Sequence, residues 1–189
     1  MKIYYADMEG FMDRQGRKKG RSGSRESDFA YSLLYYGLRQ EYQIEMPSVS
    51  ADEAGRPYFP ERPELSFSIS HSRGRILCAI SDTTRLGADI ESRERRVPPE
   101  LIQRLTTERE REDFDFLELW VLRESFFKLT GEGELRTLFF SKSGGEIVPP
   151  NPSVMCRVYR YQDIIAAVSS YKSCFPEKLV LVPPELLII

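Results

Sequence analysis

The chain has 189 residues, 41 % of them apolar and 30 % charged, with 27 Lys and Arg against 29 Asp and Glu for a formal net charge of −2. This composition describes a folded, charge-decorated chain of one domain or two small fused halves, and it excludes a collagen, a long coiled coil and a disulfide miniprotein. Balanced charge argues against a general nucleic-acid binder, and no apolar run approaches the ~20 residues that span a bilayer. Asp7 and Glu9 stand where a secretory leader would be apolar. Cys78, Cys156 and Cys174 are odd in number and widely spaced. Together these predict reduced core thiols, no zinc site and a cytoplasmic location.

Lys2 to Met8 alternates weakly and predicts a short strand. Glu9 to Arg25 has no period and holds Arg14, Arg17, Lys18, Lys19, Arg21 and Arg25, which predicts a basic loop. A helix follows, capped by Ser24 or Ser27, with Phe29, Leu33 and Tyr36 on its apolar stripe beside Leu34 and Leu38. Gly55 to Pro60 is turn-rich. Strands are expected at Leu65–Ser70, Arg75–Ser81 and Arg85–Glu91. Pro98 and Pro99 open a helix, and Thr106 or Thr107 caps the next. Phe114 to Thr130 reads as a strong amphipathic helix stopped by Gly131 and Gly133. The remainder is β-rich, with runs at Leu138–Phe140, Val154–Tyr161, Ile164–Ser169 and Leu179–Val182. The class is therefore α+β.

Several words in this order could carry chemistry. In Asp89-Ile90-Glu91 the two acids fall on one face of a strand, where they repel unless a cation lies between them. Hard oxygen donors favour Mg2+ or Ca2+ over zinc, and the alternative is a pair of solvated charges at a sheet edge. Glu124 and Lys128 share a helix face, as an ordinary ion pair or as an ion ligand and an anion-binding ammonium. His71, the one histidine, sits between two serines as a turn residue or a phosphate donor. The basic run near Lys18 is a solvated surface or a grip for several phosphates. No phosphate-binding Gly-x-x-x-x-Gly-Lys loop or dinucleotide fingerprint exists.

Taken together, Gly55-Arg56-Pro57-Tyr58-Phe59-Pro60, Phe67-Ser68-Ile69-Ser70-His71-Ser72, Leu86-Gly87-Ala88-Asp89-Ile90-Glu91 and the stretch from Trp120 through Arg123-Glu124-Ser125 and Lys128 to Gly131 resemble the 4′-phosphopantetheinyl transferases, specifically the Sfp-like branch. The resemblance runs from Gly55 to Gly131. It implies a pseudo-dimer of two similar α+β halves with the active-site cleft between them. Residues 1–82 would form the half with the basic loop and coenzyme A contacts, and 83–189 the half with the metal site and long helix. It implies transfer of the phosphopantetheine arm of coenzyme A to a serine of an apo acyl or peptidyl carrier protein, releasing 3′,5′-ADP. The ion would be Mg2+ or Mn2+, and the protein a monomer with no nucleic-acid or membrane partner.

By the same carry-over Asp89, Glu91 and Glu124 would hold the ion and Lys128 the pyrophosphate. His71 and Ser70 would meet a coenzyme phosphate, and Arg56 and Pro57 the adenine or ribose. Lys18, Lys19 and Arg25 would grip the 3′-phosphate, although a strict count puts one of these cations at Glu26. The base falls on Glu110, with Glu108 or a water on the metal as rivals. Arg123 stands where the family often has Lys. Arg93, Arg95, Arg96, Arg104 and Arg109 could form a basic rim for an acidic carrier. Two other readings share these residues: a non-catalytic binder of coenzyme A or of a carrier, and a Mg2+-dependent phosphodiester hydrolase.

Overall fold

The computed structural model describes residues 1–8 and 22–187, with side chains of the first helix described from Glu26 onward. Strand β1 (Lys2–Asp7) leads to helix α1 (Ser22–Tyr42), a short pair β2 (Ser50–Ala51) and β3 (Pro57–Tyr58), and a hairpin of β4 (Ser66–Ser72) and β5 (Arg75–Ser81). Then come β6 (Leu86–Ser92), α2 (Pro99–Leu105), α3 (Glu108–Asp113) and α4 (Phe116–Thr130). The pair β7 (Ser141–Ser143) and β8 (Glu146–Val148), the hairpin β9 (Met155–Arg160) and β10 (Ile164–Ser170), and β11 (Val180–Leu181) complete the order.

Two sheets carry the fold. The first runs β11-β1-β5-β4 and the second β6-β10-β9. Phe29, Leu33, Leu34 and Leu38 of α1 pack on Tyr4, Ile76, Cys78 and Ile80, one face of the first sheet. On the second sheet, Leu122, Phe126 and Leu129 of α4 pack with Ile165 and Ala167. The opposite faces meet in a third cluster, where Ile3, Leu77 and Ala79 lie with Leu86, Ala88, Ile90, Ala166 and Val168. The result is helix, sheet, sheet, helix, each sheet buried on both faces as its continuous apolar runs require. The turn around Asp82 lies between the two sheets in the chain, and the tail then returns. Tyr4 pairs in parallel with Val180, and Val182 and Leu187 join the first core.

The α+β class holds, and most elements lie within a residue or two of their expected bounds. Helix α1 begins at Ser22, ahead of either expected cap. Leu138–Phe140, expected as a strand, is irregular; Leu138 and Phe140 instead plug the core beside α4, next to a 3-10 turn at Leu135–Thr137. All three cysteines are free, but only Cys78 is fully buried. No helix among the described residues is long and apolar enough to cross a membrane.

Gly87 determines how near α4 comes to β6. A Cβ there would stand 2.1 Å from the Ser125 carbonyl oxygen and 2.5 Å from the Leu129 nitrogen, both backbone atoms that cannot yield. Only glycine allows this approach, which brings the Glu124–Lys128 face of α4 up to the acids of β6. Gly131, in the left-handed region at φ 71°, ends α4 one turn later by donating its N–H to the Phe127 carbonyl.

Candidate functional site

Asp89 and Glu91 project from β6 away from the third core cluster, as their spacing of two requires. They face an open cavity of about 410 Å³ together with Ser70, His71, Trp120, Glu124, Lys128 and Arg95. The three acids and the lysine singled out in the sequence are thus brought to one place by a strand and a distant helix.

A row of serines holds the acids in position. Ser66, Ser68, Ser70 and Ser72 recur at every second residue of β4, so all four point the same way, towards edge strand β6. Ser66 Oγ accepts from the Leu86 N–H at 3.3 Å, and Ser68 Oγ from the Ala88 N–H at 2.9 Å. Ser70 Oγ donates to Asp89 Oδ1 at 2.7 Å, and Ser72 Oγ to Glu91 Oε2 at 2.5 Å. Hydroxyls thereby satisfy backbone groups at the margin of β6 and orient both carboxylates. Ser70 therefore positions an acid in this structure; a coenzyme phosphate was the sequence expectation. The alternation Ser-x-Ser-x-Ser-x-Ser was the signal that could have revealed this ladder.

The cations are unevenly shared. Lys128 Nζ donates to Asp89 Oδ1 at 2.7 Å and to the Ala88 carbonyl at 3.2 Å. Arg95 pairs with Glu91 Oε1. Glu124 has no hydrogen bond or ion pair to its carboxylate among the described residues. Burial, reinforced by the neighbouring Asp89 and Glu91 charges, pushes its pKa above the ordinary glutamate range against the opposing pull of Lys128 and Arg95. Glu91 is also pushed up, chiefly by burial, although its bonds from Ser72 and Arg95 oppose this. Three carboxylates on one opening, two of them costly to ionise, form a donor set suited to a hard divalent cation. As placed, no three His, Cys, Asp or Glu side chains among the described residues gather closely enough to grip one ion. Lys128 and Arg95 neutralise two of the acids instead.

Other expected residues lie elsewhere. His71 is on the cavity rim, its Nδ1 3.0 Å from Glu26 Oε2, while Glu26 Oε1 accepts from the Gly74 N–H at 2.8 Å. The acid that a strict count placed among phosphate-gripping cations therefore anchors the histidine and its turn. Lys18, Lys19 and the Arg25 side chain lie outside the described residues. Arg56 and Pro57 line an adjoining, largely apolar cavity of about 260 Å³ with Phe67 and Phe127; Ile69 and Lys128 border both openings. The Arg56 guanidinium is already engaged. It pairs with Asp52 at 3.0 Å and caps the end of α4 by donating to the Leu129 carbonyl at 2.7 Å.

Glu110 does not line the acidic cavity. It is 2 % exposed and fully occupied: Oε1 accepts from Arg123 Nη2 at 2.7 Å and from the Phe140 N–H at 3.3 Å. Oε2 accepts from the Thr107 N–H at 2.9 Å and its hydroxyl at 3.0 Å. The Thr107 cap expected from sequence is present, and Glu110 closes its capping box. The rival base Glu108 is exposed on α3. Arg123, 1 % exposed, is the counter-ion of Glu110 and also bonds the Leu105 and Leu138 carbonyls. Of the expected basic rim, Arg93, Arg96, Arg104 and Arg109 are exposed, whereas Arg95 turns inward.

Residues 85–154, which carry β6 and α4, match the family model of the 4′-phosphopantetheinyl transferase superfamily. The 4′-phosphopantetheinyl transferase Sfp of Bacillus subtilis strain 168 is 31 % identical over 108 residues, 51 % of this chain and 47 % of that protein. Over these stretches the chain is similar to the 4′-phosphopantetheinyl transferase superfamily. A second B. subtilis 4′-phosphopantetheinyl transferase is 35 % identical over 116 residues, covering 53 % of this chain and 50 % of its own length. The B. subtilis protein named ffp is 30 % identical over 139 residues, covering 65 % and 62 %. The chain thus spans about half the length of the first two relatives and somewhat more of the third. These relatives include Sfp itself, so the similarity is to the Sfp-like branch.

Proposed function

We propose that this protein transfers the phosphopantetheine arm of coenzyme A to a serine hydroxyl of an apo acyl or peptidyl carrier protein, in the cytoplasm and as a monomer. The observation that carries the reading is the convergence of Asp89, Glu91, Glu124 and Lys128 on one opening beside a second, apolar cavity. That pair of openings suits a ligand with a flat base at one end and a diphosphate at the other.

The serine oxygen forms a bond to the phosphorus that bears the arm. The phosphoanhydride bond breaks, and 3′,5′-ADP leaves with the electron pair. Little covalent chemistry falls to the protein in such a transfer; positioning and charge neutralisation carry it. Asp89, Glu91 and Glu124 would hold Mg2+ or Mn2+, which supplies charge neutralisation at the diphosphate. Lys128, at the seam of both cavities, moves from Asp89 to the diphosphate as a point charge. His71, fixed by Glu26, offers its other ring nitrogen to a phosphate at the rim. Glu124, whose carboxylate accepts no hydrogen bond among the described residues, keeps an oxygen available for the serine proton beside the one it would give the ion. Glu110 is enclosed by Arg123 and Thr107, and its role is to fix the start of α3 against α4.

The test is to incubate the protein with coenzyme A, Mg2+ and a panel of apo carriers and read carrier mass. Each accepted carrier gains roughly 340 Da, the mass of the arm. No gain on any carrier, with folded protein, overturns the reading; release of 3′,5′-ADP without a carrier would mark a hydrolase.

A further inference from the structure

Arg95 takes no part in the reaction as drawn, yet it occupies the site. It follows β6 in a turn in which its N–H donates to the Ser92 carbonyl at 3.0 Å. Its side chain is 35 % exposed, whereas that of its partner Glu91 is 8 % exposed. Both Glu91 oxygens are engaged, Oε2 by the neutral Ser72 hydroxyl and Oε1 by the Arg95 guanidinium. A divalent ion and a guanidinium cannot share Oε1, because both are cations and the acid is buried, where their repulsion is poorly screened. The guanidinium is held on a second side as well. Its carbon already lies 5.6 Å from the centre of the Trp120 ring, one turn of α4 before Glu124, while it pairs with Glu91, so any displacement of the side chain is felt at that ring. Arg95 also borders a neighbouring groove lined by Val97, Ile102 and Phe116, so it has room to leave the acids.

We propose that Arg95 is a displaceable counter-ion of the carboxylate site: it neutralises Glu91 until a divalent ion takes its place, and so sets how weakly the free protein holds that ion. The inference rests on the ion-binding reading of Asp89, Glu91 and Glu124 given above. With Arg95 on Glu91, the metal-free site carries less unpaired negative charge and α4 can stay close to β6. When an ion arrives, the guanidinium leaves Glu91 towards the groove lined by Val97, Ile102 and Phe116, and its contact with the Trp120 ring changes. The competition lowers affinity for the ion alone, so loading is favoured when a diphosphate brings further oxygen donors.

The test uses the whole chain as wild type, Arg95→Gln and Arg95→Lys, each checked for folding by thermal unfolding. Mn2+ binding without coenzyme is read from the electron paramagnetic resonance of the free ion. Arg95→Gln should bind Mn2+ roughly tenfold more tightly, the order of one charge-assisted bond, and Arg95→Lys should stay near wild type. Trp120 is the single tryptophan, so its fluorescence reports whether the guanidinium stays over the ring. Mg2+ should change its emission saturably in wild type, and the change should largely vanish in Arg95→Gln. Equal or weaker Mn2+ binding by Arg95→Gln, or an unaltered Trp120 response, overturns the counter-ion role alone. Absence of Mn2+ binding by wild type and Arg95→Gln alike overturns the ion site itself, and the proposal falls with it.

Discussion

Replacing Arg123 with Met should cost far more than a surface charge would. The guanidinium is 1 % exposed and its three bonds run at 2.6 to 2.9 Å, to the Leu105 carbonyl, Glu110 and the Leu138 carbonyl. Met fills much of the volume but leaves the Glu110 carboxylate, 2 % exposed, without a counter-ion. Breaking a buried pair from one side costs about 3–5 kcal/mol. At roughly 2–4 °C per kcal/mol for a chain of this size, the melting temperature falls by roughly 6–20 °C. Urea unfolding of Arg123→Met, Glu110→Gln and the double variant measures this directly. Glu110→Gln should cost about 1–3 kcal/mol, since both carboxylate oxygens accept from donors and an amide NH2 must face one of them. The double variant should cost less than the sum of the singles, because removing both partners leaves no unpaired buried charge. An Arg123→Met variant within about 1 kcal/mol of wild type would refute the buried-pair account. Glu110→Gln with unaltered stability but lost transfer would return Glu110 to the chemistry.

Gly87→Ala should fold poorly or lose transfer, because a Cβ meets the α4 backbone at 2.1 Å and must push Glu124 and Lys128 away from β6; overpacking of this kind costs about 1–3 kcal/mol or more, measurable by denaturation. Ser70→Ala removes the 2.7 Å bond that aims Asp89, so Mn2+ should bind several-fold more weakly with stability reduced by only about 1 kcal/mol; unchanged ion affinity would count against the serine ladder. Glu124 has a pKa raised by folding, so its stabilising contribution is full below the ordinary glutamate range and is lost as pH rises through the raised value. Metal-free Glu124→Gln should therefore melt above wild type at neutral pH, and the gap should close on acidification past the unfolded value, where the acid is protonated in both states. A gap independent of pH would show that burial of Glu124 carries no such penalty.

Local rules in the sequence were enough for much of this protein. The alternation of β4, the apolar runs of β5 and β10, the Thr107 cap and the Gly131 stop each follow from residues within a few positions of one another. So does the shared face of Asp89 and Glu91, since a strand repeats every two residues. What lay beyond reach was every property set by which element faces which. Leu138–Phe140 alternates like a strand, but two of its residues were needed as plugs beside α4. Glu110 and Glu124 look alike in a list of acids; packing buried one against Arg123 and left the other facing a cavity without a cation partner among the described residues. Ser70 read as a ligand group until β4 was found alongside β6, and Arg95 read as rim charge until its turn folded it inward. The reason is physical. Backbone preference and hydrophobic period act over a few residues and are written in order along the chain. Desolvation and charge pairing depend on distances between residues far apart in that order, and only the assembled sheets and helices fix those distances.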